Sequence, residues 1–223
     1  MSVLTPQSIL RHLKDRMLAN YVPPTLYDDA TILVMLNDAY LEACERTHCL
    51  KALATITLVA DQQEYDLPAD CSAIDSVVAA GVPLFAVPLS GALRDQPTLS
   101  TPSVGYYTYG SKIGFFPAPV QIDTALSTMI SYSARPAPFL TYDDGFDVRF
   151  PVEYADILLH YVVWRVQSMS GGAESLRNAQ INRNLNDNRM KELRRSVNNV
   201  GMLQPSQLPH VGDNRQLRSR SAL

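Results

Sequence analysis

ILVMLNDAYLEACERTHCLKALATITLV, residues 32–59, changes its period partway along, and that change decides how the chain is read. Ile32, Leu36, Tyr40 and Cys44 recur at helical spacing, and Leu33 and Ala43 widen the stripe. After Cys49 the run Ala54-Thr55-Ile56-Thr57-Leu58-Val59 is rich in β-branched residues and reads as a strand. One helical unit therefore gives way to a β unit within a few residues.

Upstream, Thr5 followed by Pro6 is a helix start, an N-cap and then a proline at the first helical position. Ile9, Leu10, Leu13 and Met17 continue this helix, which is expected to stop near Asn20, before Pro23 and Pro24. Asp28 and Asp29 open the next helix, where carboxylates suit free N–H groups and the positive helix end.

Downstream, further strands are expected at Glu64–Pro68, Ile74–Ala80 and Leu84–Val87. Pro88 to Asp95 reads as a short helix or a loop, and Gln96 to Ser103 as a loop. Tyr106–Tyr109 and Lys112–Phe116 flank Gly110-Ser111 and form a hairpin, because glycine accepts the positive φ of a tight turn. A last strand falls within Ala125–Ser133, bracketed by prolines 117, 119, 136 and 138. Helical period then returns. Pro151 opens a third helix whose face is Ile157, Leu158, Tyr161 and Trp164. Leu159, Val162 and Val163 make it apolar nearly all round, which suits the centre of a core. Gly171-Gly172 ends it. A fourth helix, about Ala173 to Val197, carries only Leu176, Met190, Leu193 and Val197 among Asn and Arg, so it faces solvent or rests on a partner.

The fold class expected is α+β. A discontinuous helical bundle of four main helices is interrupted by a small antiparallel β-rich insert, sandwich-like or barrel-like, and ends in an extended C-terminal tail. The boundaries are 1–51 and 150–200 for the two halves of the bundle, 52–149 for the insert and 201–223 for the arm. At roughly 3.3 Å per residue, such an arm reaches on the order of 70 Å, far enough to lie on a neighbouring subunit.

Charged residues make up 18% of the 223, a surface poor in charge that suits burial against partners. The net charge of −3 builds in no general attraction to nucleic acid or membrane. The distribution is uneven, however. From Leu176 onward the bases are Arg177, Arg183, Arg189, Lys191, Arg194, Arg195, Arg215, Arg218 and Arg220, against only Asp187, Glu192 and Asp213. In a ring of identical subunits, opposite faces would then carry opposite signs and orient docking partners. Three cysteines and no apolar leader point to a reducing compartment, and no apolar run approaches the ~20 residues that span a bilayer.

Catalytic patterns are scarce. Gly110-Ser111-Lys112 lacks the upstream glycine and following helix of a phosphate loop, and no nucleophile elbow or zinc-type spacing occurs. Cys44, His48 and Cys49 offer soft ligands without a fourth, and read as core thiols at a helix end. Asp143, Asp144 and Asp147 around Gly145 read as a turn rather than a cation site, since the regular ligand spacing is missing. Tyr106, Tyr107, Tyr109, Phe115 and Phe116 have only Lys112 near them, so protein contact is favoured over base stacking. Arg183, Arg189, Arg194 and Arg195 have three readings: a DNA passage, a solvated helix face, or contact with an acidic protein ring. No cofactor, no metal and no catalysis are expected.

The order of segments carries a resemblance. Asn37-Asp38-Ala39-Tyr40 lies in the second helix, and Thr55–Ala60 leads to Glu64-Tyr65-Asp66-Leu67-Pro68-Ala69-Asp70. Ile113-Gly114-Phe115-Phe116-Pro117-Ala118-Pro119 and the helix start Pro151-Val152-Glu153-Tyr154 follow. Over roughly residues 28–170 this resembles the head-to-tail adaptor (connector) proteins of tailed bacteriophages. The resemblance implies a ring, commonly of twelve subunits, beneath the portal protein, whose other face receives the tail tube or nozzle. It implies passage of double-stranded DNA through the lumen, a bundle that forms the ring, and a terminal arm that reaches the portal. A virion protein of the phage neck, made in the host bacterial cytoplasm, is the expectation. The sites expected to make contacts are Arg183, Arg189, Arg194, Arg195, Arg215, Arg218 and Arg220 for portal, lumen or neighbouring ring, and Tyr106, Tyr107 and Tyr109 for the insert. A tail-completion or tube-capping protein and a DNA-binding packaging accessory are the alternatives.

Overall fold

A computed structural model describes residues 5–17, 28–79, 81–90, 103, 105–119 and 127–200. The expected Pro88–Asp95 segment lies partly, and the arm 201–223 wholly, outside the described residues.

Helix α1 spans Pro6–His12. The Thr5 hydroxyl accepts the Ser8 N–H while Ser8 Oγ accepts the Thr5 N–H, so two donors that the helix leaves free are satisfied reciprocally. A π-helical turn, Leu13–Met17, follows. The expected stop near Asn20 lies outside the described residues. Helix α2, Asp29–Thr47, begins where Asp28 Oδ1 accepts the Thr31 N–H at 2.8 Å. It ends at His48, whose left-handed backbone (φ 55°) lets its N–H close onto Cys44 O at 2.8 Å. That cap turns the chain into strand β1.

Strand β1 is Lys51–Thr57, three residues earlier at its start than the β-branched run suggests. The ladder decides this: Lys51 already pairs with Ser133, and Ala134 N–H donates to Leu50 O. Strands β2 (Glu64–Asp66), β3 (Cys71–Ala79), β4 (Val82–Pro83), β5 (Phe85–Ala86), β6 (Gly105–Tyr109), β7 (Lys112–Phe116) and β8 (Ser127–Ala134) complete two four-stranded sheets. Their orders are β1-β8-β3-β4 and β2-β7-β6-β5. The first is antiparallel throughout; in the second, β5 and β6 run parallel. The strand expected at Leu84–Val87 is shortened to β5 in the second sheet, and Val82–Pro83 just before it forms β4 in the first. Pro83 has no N–H to continue a ladder, and the chain crosses over at buried Leu84, whose N–H donates to Val77 O. Because β8 enters between β1 and β3, the insert leaves the helices at Leu50 and returns beside it at Ala134.

Alternation along β8 shows which side is covered. Thr128, Ile130 and Tyr132 are buried, and Met129 between them is exposed. A 3-10 turn, Val152–Tyr154, precedes helix α3, Asp156–Met169. Ile157, Leu158, Val162, Val163 and Val166 of α3 are all buried, which agrees with a helix apolar on most sides. Gly171 (φ 72°) permits the turn into helix α4, Ala173–Val200. Helix α4 packs along α3 and also against α2. Buried residues of the helices and of both sheets join in one contiguous hydrophobic cluster. The α+β class, with four helices and largely antiparallel sheets, is as expected.

Candidate assembly surfaces

Helix α4 carries Arg183, Arg189, Arg194 and Arg195, four of the seven arginines expected to make contacts, and the structure sorts them into tethered and free. Arg183 lays its guanidinium over the Trp164 ring at 5.3 Å. Arg189 is a fastener between helices. Its Nε and Nη2 donate to Asp156 at 2.7 and 3.2 Å, Nη1 donates to Glu192 at 2.6 Å, and Nη2 also reaches Glu153 O at 3.1 Å. The hydrogen bonds to Asp156, then those to Glu192, hold its charge more firmly than usual. Arg194 and Arg195 are exposed. Arg215, Arg218 and Arg220 lie outside the described residues.

The many asparagines of α4 are not merely a solvated face. Asn186 is buried and donates to Ile157 O at 2.8 Å. Asn182 donates to Gln167 Oε1 at 3.2 Å and meets His160 Nδ1 at 3.1 Å. With Met190 and Leu193 buried on the same side, one face of α4 docks on α3 through polar and apolar contacts together. The opposite face runs through Arg177, Ile181, Lys191 and Arg195. Arg177 and Lys191, which the choice among arginines passed over, share that stripe with Arg195; their i, i+14, i+18 spacing, close to whole turns of about 3.6 residues, was the available signal.

The aromatic group of the insert separates in the same way. Phe115 and Tyr107 are buried, Tyr106 is half-buried, and Tyr109 keeps 67% of its surface exposed. A base-stacking platform of five rings is therefore not formed: Tyr106 and Phe115 share one face of the β6–β7 ladder, and Tyr107 and Tyr109 the other, where Tyr107 lies over Gly114. Burial raises the hydroxyl pKa of Tyr106 and Tyr107, and Glu64 adds to the effect at Tyr107.

Cys44 and Cys49 lie buried with their sulfurs 3.7 Å apart. The neighbouring Cys49 thiol, and then burial, push the Cys44 thiol up. Asp144 Oδ2 accepts the N–H groups of Leu140 and Thr141 at 2.6 and 2.8 Å, so it caps a turn. Asp147 is taken up by Arg149, at 2.8 Å to Nε and 2.5 Å to Nη2. Among the described residues no group of three or more His, Cys, Asp or Glu is arranged to hold a metal ion. No helix among them is long and apolar enough to cross a membrane.

The segments that carried the resemblance have definite structural work. Asn37 clamps the returning chain: its Oδ1 accepts the Phe139 N–H at 2.7 Å and its Nδ2 donates to Phe139 O at 3.0 Å. Tyr40 is the hub of an aromatic cluster, stacked on Phe139 at 5.0 Å and edge-on to Phe146 and Phe150. Tyr65 Oη both accepts from Val59 N–H (2.8 Å) and donates to Val59 O (3.1 Å), closing the turn between β1 and β2. Asp70 accepts the Tyr132 hydroxyl at 3.1 Å. Phe139, Phe146 and Phe150 had no visible period, so their joint role was not apparent from spacing.

No curated protein matches the chain. A protein-family model described as SU10 adaptor protein matches residues 5–207. That span takes in all four helices, both sheets and every segment just described. The chain therefore belongs to the SU10 adaptor protein family, a phage head-to-tail adaptor family, and is a virion component that works through other phage structural proteins.

Proposed function

We propose that this adaptor closes into a ring of identical subunits, twelve in number, between the portal and the tail tube or nozzle, with double-stranded DNA passing through its lumen. The observation that carries this reading is the family match over residues 5–207. The helical segments 1–51 and 150–200 act as one bundle that forms the ring body. The insert, 52–149, presents Tyr109 and its exposed neighbours to one partner. The basic arm, 201–223, with Arg215, Arg218 and Arg220, reaches the portal. The work is joining, sealing and conducting rather than catalysis, and the chain is made in the host cytoplasm before assembly.

A ring of identical subunits closes through unlike patches, so each subunit needs two different surfaces for its two neighbours. Light scattering or native mass spectrometry on the purified chain, alone and with portal rings, tests the proposal. A single closed oligomer is expected. A persistent monomer in both conditions overturns it, and association with tail protein only would favour a tail-completion role. The DNA-accessory reading requires salt-dependent duplex binding that is lost on charge reversal at Arg194 and Arg195.

A further inference from the structure

We infer that the outer stripe of α4 on one copy docks against the outer stripe of α2 on the next copy. This rests on the ring reading and identifies the two unlike patches it needs.

The α2 stripe is Val34, Asp38, Leu41 and Glu45, spaced four, three and four residues apart and therefore on one helix face. It lies opposite the face that buries Ile32, Leu36, Ala39 and Ala43. Val34 is 60% exposed and Leu41 40% exposed, an apolar pair with no cover among the described residues. From Asp28 to His48 the helix region holds five acids and one base, Arg46, which is itself held by Glu42 at 2.9 Å and Asp187 at 3.1 Å. Among the described residues Asp38 makes no ion pair, and the Glu45 pair with Arg135 is long, at 3.4 Å, and exposed.

The α4 stripe has the opposite sign and the same mixture. Ile181 and Leu185, 49% and 42% exposed, stand one turn apart between Arg177 on one side and Lys191 and Arg195 on the other. None of those three bases makes an ion pair within the described residues, whereas Arg189, on the inner side of the helix, is fully engaged. Both helices turn their buried sides to one core, so each stripe points away from it and the two are distinct patches of the subunit. That is the arrangement a head-to-tail contact requires.

Passing DNA fits this stripe less well. Phosphates reward basic side chains but not exposed Ile181 and Leu185 set among them. A protein surface with its own apolar pair and carboxylates rewards both, and α2 of the neighbouring copy is such a surface. Charge complementarity sets the register, and the apolar pairs supply the buried contact.

The test is sedimentation velocity on the full chain and two charge-reversed variants. One carries Arg177→Glu, Lys191→Glu and Arg195→Glu; the other carries Asp38→Lys and Glu45→Lys. All five positions are exposed, and thermal melts verify that each variant folds. In each variant alone like charges face one another, and association is expected to weaken at least about tenfold. Mixed one to one, every contact again joins opposite charges, so assembly returns in the mixture only. Variants that assemble as well as the unmodified chain, or a mixture no better than its components, overturn the inference and leave the ring reading standing. So does duplex binding lost with the α4 reversal while assembly is unchanged. An unmodified chain that assembles neither alone nor on portal rings overturns both.

Discussion

Tyr107 and Gly114 face each other across the β6–β7 ladder, and the tyrosine ring occupies the space a side chain at 114 would take. A Cβ there would sit closer to two ring carbons and the hydroxyl oxygen of Tyr107 than real Cβ atoms approach. The Tyr107 ring is buried by this, and its hydroxyl extends to Glu64 of the next strand at 3.5 Å. The missing side chain thus lets one aromatic ring lie across a strand of the second sheet.

Replacing Gly114 by alanine forces that ring out of place and is expected to cost about 1–3 kcal/mol of stability, the usual penalty of overpacking. Denaturant titration measures it. In a Tyr107→Ala background the same change should cost far less, because the overlap has gone. Equal costs in both backgrounds would show that the ring is not what excludes a side chain.

Asn37→Ala leaves the N–H and carbonyl of Phe139 without the partners they have now. The loss expected is about 1–3 kcal/mol. Hydrogen exchange at the Phe139 amide should accelerate beyond the global change, since this clamp joins α2 to the chain returning from the insert. Unchanged protection at Phe139 would mean that the aromatic stack on Tyr40 holds the segment alone.

Acid should weaken the fold through its capping carboxylates. Hydrogen bonds from Arg149 hold the Asp147 carboxyl below its ordinary 3.8, and backbone N–H groups of Thr141 and Leu140 do so for Asp144. Because these groups bind protons less readily folded than unfolded, their contribution is present above 3.8 and is lost as pH falls through the lower folded values. Melting temperature against pH checks this. An Asp144→Asn, Asp147→Asn variant should melt lower at neutral pH and fall less steeply in acid; parallel curves would count against the account.

Thiol reactivity should order the three cysteines. Cys44 and Cys49 are buried, whereas Cys71 at the start of β3 is half-buried, with a thiol raised by burial and then by Asp70. A thiol-reactive probe should label Cys71 first, and Cys44 and Cys49 only at the rate of unfolding. Fast labelling at Cys49 would show that the end of α2 opens readily.

Much of this structure could be read from local chemistry. Thr5-Pro6 and Asp28 announced their helices because capping is decided within four residues. The Gly110-Ser111 hairpin was visible because its turn needs positive φ, which Gly110 adopts (φ 59°). What escaped depended on partners distant in sequence. The division of residues 82–86 between two sheets is set by Val78, Val77 and Gly105, and the early start of β1 by Ser133. The polar residues of α4 looked uniform in sequence. Their sorting into Asn182 and Asn186 turned inward, Arg189 tethered and Arg195 free depends on which side meets α3. The aromatic cluster of Tyr40, Phe139, Phe146 and Phe150 spans about a hundred residues of chain and has no period to reveal it.

The ring is the central claim, and the mass of the assembled species tests it most directly. Native mass spectrometry of the full chain, alone and with portal rings, should give one closed oligomer of identical subunits, without a ladder of sizes. A chain that remains monomeric in both conditions would contradict the account.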